Sequence, residues 1–230
     1  TLDFNSTPEK LQGVINQAKD LLDKMEGKVL DVQKAHLVEL IQAAEKVVEE
    51  EKSDEYYDNT QILLKAIKVG EAAIELRDSC SEAEEVYEGR DVNEDWASYV
   101  NTAADLDNQL DAAVELLKDT ECTVTELNLM KKSVDEAKDA LLGIWDKLTV
   151  TIKPMDKEML GANDKIAISS EFDDLQIRYT IDGNEPTWFS EEYTEPFAMT
   201  RSKETVKAAL FLGRRQMSDC LLYTSDAADD

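Results

Sequence analysis

The stretch Tyr179–Pro196, YTIDGNEPTWFSEEYTEP, concentrates residue types that could do chemistry. Asp182 and Glu185 lie three residues apart around a glycine, and the rings of Trp188 and Phe189 follow them. Two carboxyls that hydrolyse a sugar linkage must be held about 5 to 9.5 Å apart in a cleft, with one pKa raised by its surroundings. An exposed turn meets neither condition. The spacing therefore predicts a strand, a glycine turn and proline-ended loops of a small β domain.

Metal-binding and catalytic side chains are few elsewhere. His36 is the only histidine, so the chain offers neither a His-based metal cluster nor a His-dependent triad, and we expect it to lie at or near the surface. Asp105, Asp107 and Asp111 resemble ligands, but the first two point apart on a helix and the glycine-containing loop of a calcium hand is missing. We predict no metal, no cofactor and no catalytic residue.

The cysteines predict no disulfide. Cys80 and Cys122 would lie on antiparallel helices, roughly 33 Å apart along the helix axis at 1.5 Å per residue. A disulfide requires Cα atoms within about 7 Å of each other. We expect both thiols to be unpaired.

Charge separates the chain into two parts and limits its partners. The 230 residues carry a formal net charge of −26, which disfavours nucleic acid and anionic lipid. Residues 1–146 contribute −20 and residues 147–219 only −3, so we place a domain boundary near residue 147. No apolar run of about 18 residues is present, so we predict no membrane insertion. Because the chain starts with Thr1 rather than Met, we expect a piece of a longer protein.

Residues 1–146 show the pattern of about five amphipathic helices. Thr7 and Pro8 predict the first helix start, and Thr123 with Glu126 predicts a capping box before the fifth helix. Gly70, within a long third helix, marks either a kink or a close helix crossing. Short turns predict antiparallel bundles that share or adjoin the third helix. The predicted apolar stripes include Val32 in the second helix, Val100 in the fourth and Leu142 in the fifth.

Three helical segments echo one another weakly: LQGVINQAKDLLDKM, LKAIKVGEAAIEL and LNLMKKSVDEAKDALL. They resemble the FIVAR-type helical modules of bacterial surface proteins and carbohydrate-active enzymes. This resemblance implies a spacer or binding module on an extracellular protein.

Residues 147–219 change to a strand pattern. Short runs such as KIAISSEF, QIRYTIDG and TVKAALFLG are separated by turn residues. In QIRYTID, alternation places Ile177, Tyr179 and Ile181 on one face. The fold class is therefore α + β in separate domains, with helical bundles followed by a small immunoglobulin-like β sandwich. Trp145, near the junction, is expected to pack the last helix against the sandwich.

The segments YTIDGNEPTWFSEEYTEPF and ETVKAALFLGRRQMSD strongly resemble the chitobiase/β-hexosaminidase C-terminal domain over residues 167–219. The resemblance implies a β sandwich without catalytic residues that lies beside a catalytic domain. The shared structural motif comprises Tyr179, Asp182, Gly183, Pro186 and Thr187. We also consider sugar binding by three rings of this loop: Trp188, Phe189 and Tyr193.

The last eleven residues, CLLYTSDAADD, closely resemble one reading frame of a sequencing-library adapter. We therefore expect residues 220–230, including Cys220, to be a non-native tail, against the alternative of a natural C-terminal strand.

These features together predict a non-catalytic accessory region of a larger secreted or surface bacterial glycoside hydrolase. The alternative is a module of a non-enzymatic adhesin or carbohydrate-binding protein. The expected partners are neighbouring domains of the parent chain and, for the alternative, carbohydrate. The expected location is extracellular, periplasmic or at the cell surface.

Overall fold

The computed structural model describes residues 7–28, 30–89, 93–154, 165–198 and 205–224. Within these ranges five helices precede a strand-rich region with antiparallel sheets, as the sequence predicts. The chain divides into two compact units: a helical unit of residues 1–91 and 102–141, and a β unit of residues 92–101 and 142–230. Each unit is therefore made of two separate segments of the chain. The sequence predicted a single boundary near residue 147, with one domain on each side, and this division stays a prediction.

The helical ends follow local capping chemistry. Thr7 Oγ1 accepts a hydrogen bond from Lys10 N at 3.3 Å, and Pro8 is the first helical residue. Thr123 and Glu126 form the predicted capping box, with Thr123 N donating to Glu126 Oε2 at 2.8 Å and Glu126 N to Thr123 Oγ1 at 3.3 Å. The helices are α1 (Pro8–Lys24), α2 (Asp31–Glu49), α3 (Tyr56–Gly89), α4 (Ala97–Leu116) and α5 (Val124–Gly143).

Helix α3 is shared by the rest of the helical unit. Its first half packs on α1 and α2. Of the two predicted roles of Gly70, a kink or a close helix crossing, the structure shows the close crossing. A Cβ at Gly70 would lie 2.7 Å from Leu21 Cδ2 and 2.8 Å from Met25 Cε. The second half meets α5, where Lys138 forms an ion pair with Glu82 at 2.9 Å.

Several predicted positions are wrong in detail. Val32, Val100 and Leu142 are 40%, 41% and 55% exposed, so they do not belong to the apolar stripes. The buried positions start at Trp96, just before α4, and continue with Tyr99, Ala103 and Leu106, spaced alternately by three and four residues. Val100 falls beside this stripe. Helix α2 ends at Glu49, and α4 begins at Ala97.

The described residues of the β unit form two antiparallel sheets, in agreement with a small all-β domain. The first has the strand order β1-β2-β5, and the second β4-β3-β6-β7 with β8 also paired to β6. Ile152, Ile166, Ile168, Val206 and Leu210 supply its buried aliphatic side chains. The strands are β1 (Thr151–Lys153), β2 (Lys165–Ser169), β3 (Gln176–Thr180), β4 (Glu191–Glu192), β5 (Phe197–Ala198), β6 (Thr205–Leu212), β7 (Arg215–Gln216) and β8 (Leu221–Thr224).

Strand β3 differs from the predicted alternation, and strand β8 lies in the last eleven residues. All five residues of β3 are half-buried and Ile181 is exposed, so the predicted alternation does not appear in burial. Strand β8 lies within residues 220–230, the segment expected to be a non-native tail. It pairs with β6 in the register Val206 opposite Tyr223, and the Tyr223 side chain is buried. Residues 221–224 therefore form a strand of the second sheet, and the non-native origin of residues 220–230 stays a prediction.

The first turn of α4 belongs to the β unit and is held by an aromatic group. The ring centroids of Trp96 lie 5.5 Å from Trp145 and 5.0 Å from Phe172, and those of Tyr99 and Trp145 are 5.7 Å apart. Trp145 thus packs on Trp96, just before α4, and on Tyr99, in the first turn of α4. Asp174, in the turn before β3, accepts Ser98 N at 2.7 Å and Trp96 Nε1 at 3.3 Å.

Candidate functional site

The segment after β3 is a tight turn built by Asp182 and Gly183. Gly183 has φ +80°, a left-handed conformation that glycine adopts without strain, and its N–H donates to Thr205 O at 3.0 Å. Asp182 Oδ1 accepts Asn184 N at 3.0 Å, closing the turn through the side chain. These contacts give the two residues a structural part in joining the β3 end to the start of β6.

Three carboxylates of this loop accept hydrogen bonds or form ion pairs, which does not suit a general acid. Hydrogen bonds from the backbone and then the side chain of Asn184 lower the pKa of Asp182, the opposite of what a general acid requires. The exposed Glu185 forms an ion pair with the largely covered Lys207, with Oε1 and Nζ 3.8 Å apart. Glu192, on β4, pairs with Arg178 at 3.1 Å. Glu185 and Glu192 thus each lie beside a cationic side chain, and Asp182 is held by its own turn.

The return of the loop is fixed by hydrogen bonds between Thr187 and Ser190. Thr187 N donates to Ser190 Oγ at 2.9 Å, and Ser190 N donates to Thr187 O at 2.9 Å. Pro186 is buried just before them. This small closed turn presents the two residues between its ends, Trp188 and Phe189, at the surface.

Trp188 and Phe189 lie together, but they differ in accessibility. Their ring centroids are 3.4 Å apart, and the guanidinium carbon of Arg214 lies 4.6 Å from the Trp188 ring centroid. The Trp188 ring is half-buried between these neighbours, whereas Phe189 is 78% exposed. Of the two rings, Phe189 offers the free apolar surface to a ligand, with Trp188 and Arg214 as its support.

Tyr193 belongs to a second ring group. Its centroid lies 6.2 Å from Tyr179 and 6.5 Å from Phe197, and Tyr179 stacks on Phe197 at 4.7 Å. Tyr193 N also donates to Ile177 O at 2.8 Å, which ties the loop back to β3. The structure thus places the three candidate sugar-binding rings in two groups.

Arg178 and Arg214 were missed by the sequence analysis. The Arg178 guanidinium donates to Ser190 O at 3.2 Å and to Gln176 Oε1 at 3.1 Å, so it braces the loop from β3. An arginine at an alternating strand position carries no local signal of this role. Arg214 follows Gly213, whose φ of +59° marks the β6–β7 turn, but its approach to Trp188 is a long-range contact.

Other candidates remain separate side chains. Asp105, Asp107 and Asp111 are exposed on α4, and His36 is half-buried on α2. No group of three possible metal ligands occurs in the described part of the chain. Within the same described ranges, no helix is long and apolar enough to cross a membrane.

The cysteines are free, as predicted, and two of them are buried. Burial raises the pKa of Cys80 to about 11. Burial and then the nearby Asp119 and Glu126 raise the pKa of Cys122. Raised thiol pKa values disfavour the thiolate and hence nucleophilic catalysis.

The β unit therefore has the character of a small antiparallel β domain whose loop carboxylates are structural. Residues 158–221 match the family model of the chitobiase/beta-hexosaminidase C-terminal domain, a non-catalytic accessory domain, and this match confirms the resemblance seen in the sequence. The matched range reaches Leu221, the first residue of β8. No curated protein and no solved structure matches the chain.

Proposed function

We propose that this chain is a non-catalytic accessory region of a larger secreted or surface bacterial glycoside hydrolase. In this proposal the helical unit is a spacer or docking module of the FIVAR-like type. The β unit is an ancillary domain that braces a neighbouring domain of the parent chain. The family match at residues 158–221 carries the proposal.

The chemistry of the loop supports a non-catalytic part. A pair of catalytic carboxyls needs one group whose pKa is raised. The pKa of Asp182 is lowered by its turn hydrogen bonds, and Glu185 and Glu192 face Lys207 and Arg178. The expected location, outside the cytoplasm, follows from the family. The expected partners are flanking domains, with neither nucleic acid nor a membrane interior among them.

Two measurements test this proposal. Sequencing the parent gene on both sides of this region should reveal a catalytic domain with paired carboxylates. The purified 230-residue chain should release no nitrophenol from nitrophenyl N-acetyl-β-glucosaminide, while the parent enzyme should. A parent gene without any catalytic domain, or hydrolysis abolished by Asp182→Asn in the isolated chain, would contradict the proposal.

A second candidate function is glycan binding in a non-enzymatic surface protein. The exposed Phe189 ring, supported by Trp188 and Arg214, favours it because a flat apolar ring can stack on a sugar face. A glycan array probed with the full chain should then show binding that Phe189→Ala and Trp188→Ala abolish. Ile181→Ala, which removes another exposed apolar side chain of the β unit, is the matched control. An array without signal for the unmodified chain ends this candidate.

A further inference from the structure

A cavity of about 190 Å³ lies in the helical unit among α2, α3 and the α4–α5 loop. Protein interiors are close-packed, and voids larger than a water molecule are few in a domain. An engineered apolar cavity of about 150 Å³ holds one benzene molecule. The space here is therefore sufficient for one six-membered ring with a small substituent.

The floor of the cavity is apolar and its mouth has an apolar lip. Met25, Leu37 and Val69 are buried and line its inner part. Ile62 lines it as well and is 47% exposed, although it is a large aliphatic side chain. Exposing such a lip to water is unfavourable, and an apolar ligand would cover it.

One wall is held in place by a buried amide. Gln33 is only 4% exposed, and its Nε2 donates to Asp119 O at 2.7 Å and to Leu117 O at 3.4 Å. These bonds attach the α4–α5 loop to α2 and satisfy carbonyls at the end of α4. Because the Gln33 amide is bonded to the loop, movement of the loop into the cavity would break these hydrogen bonds. The buried amide and the loop carbonyls would then lack partners.

The charges at the mouth favour a neutral ligand. Lys65 and Glu121 are both exposed residues of the lining and carry opposite charges. The half-buried His36 and the buried Cys122 are the other two ionisable groups of the lining. The chain as a whole carries −26, which disfavours anions. A small cation would gain little from an apolar floor and would lose its hydration.

We propose that this cavity is a binding site for a small neutral cyclic molecule of phenol size, with its ring on the apolar floor and its polar group at the mouth. Phenol is the probe, and benzoate, benzylammonium and N-acetylglucosamine are charged or polar comparators. The site lies wholly in the helical unit, so it is independent of the accessory-domain proposal.

Saturation-transfer NMR and chemical-shift titration of the full chain test the site. Phenol should bind at millimolar concentration or below, more tightly than each comparator, and should shift the side-chain amide signals of Gln33. Ala66→Leu fills the cavity and should weaken binding at least tenfold. Ala35→Leu, an exposed substitution on α2 that does not line the cavity, should leave the affinity unchanged.

Thr120→Trp covers the mouth from an exposed position, so its effect does not depend on core packing. It should weaken phenol binding by a similar factor. Absence of phenol binding to the unmodified chain would overturn the proposal. It would also be overturned if the Ala66→Leu and Thr120→Trp variants bound phenol as tightly as the unmodified chain. Tighter binding of benzoate, benzylammonium or N-acetylglucosamine would overturn the assigned ligand class.

Discussion

Replacing Asp174 should destabilise the β unit because this carboxylate caps a helix from a distant loop. Trp96, the residue before α4, has no side-chain oxygen to accept the free N–H groups of the first turn. Asp174 accepts Ser98 N at 2.7 Å and the indole N–H of the fully buried Trp96 at 3.3 Å. Losing a helix cap costs about 1 kcal/mol, and the stranded indole N–H adds to this. We expect Asp174→Ala to lower the free energy of unfolding by about 1 to 2 kcal/mol.

Denaturant unfolding followed by tryptophan fluorescence measures this change, since Trp96 and Trp145 are in contact. Asp173→Ala is the matched control because Asp173 is an exposed neighbour of Asp174. An Asp174→Ala midpoint equal to that of Asp173→Ala would refute the capping argument. Asp174→Asn should recover most of the loss, because asparagine also caps well.

The pH dependence of the same variants provides an independent check. Burial alone would raise the pKa of Asp174, but hydrogen bonds from Ser98 and Trp96 outweigh it and lower the pKa. The charged carboxylate therefore contributes stability that is fully present above about pH 4, near its unfolded-state pKa, and is lost as the pH falls through the folded-state value. The deficit of Asp174→Ala should accordingly shrink in acid, whereas a constant deficit would mean that the charge is irrelevant.

Three further substitutions test packing and thiol burial. Gly70→Val should destabilise the helical unit by about 1 to 3 kcal/mol through overpacking, while Gly13→Val, which faces open space on α1, should be near neutral in thermal unfolding. Tyr223→Ala should cost about 3 kcal/mol because the side chain is buried on β8, and Leu222→Ala, 53% exposed, should cost little; equal effects would exclude β8 from the core. Cys80 has a pKa of about 11, so alkylation at pH 8 in the folded protein should be roughly 100-fold slower than for an ordinary thiol, measured by peptide mass; rapid labelling would contradict its burial.

Local chemistry made the helices predictable. The Thr7 cap and the Thr123 capping box depend on residues three apart, so sequence alone contains the full interaction. Gly70 could be assigned to a kink or a crossing only when its neighbours Leu21 and Met25 were placed. Helix α4 shows what periodicity alone cannot decide. An apolar stripe through Tyr99 and one through Val100 match the helical repeat nearly equally well, and only the tertiary structure shows that Tyr99 is the buried residue.

The loop after β3 was predictable in type but not in grouping. Asp182 and Gly183 carry turn signals that act within three residues, and the structure has the expected turn. The separation of Tyr193 from Trp188 depends on Phe197 of β5, Arg178 of β3 and Arg214 of the β6–β7 turn, which are distant from the two rings in sequence. The resemblance of residues 220–230 to an adapter predicts the origin of this segment, and it contains no information about the pairing of β8 with β6.

The helix start at Trp96 is synthesised well before Asp174, the residue that caps it. Trp96 and its acceptor are separated by 78 residues. At about 5 to 20 residues per second, a ribosome needs roughly 4 to 16 s to add that length. During this interval the start of α4 lacks its acceptor, and the Trp96 ring lacks its contact with Phe172. The first turn of α4 therefore gains its side-chain cap only after residue 174 has been added to the chain.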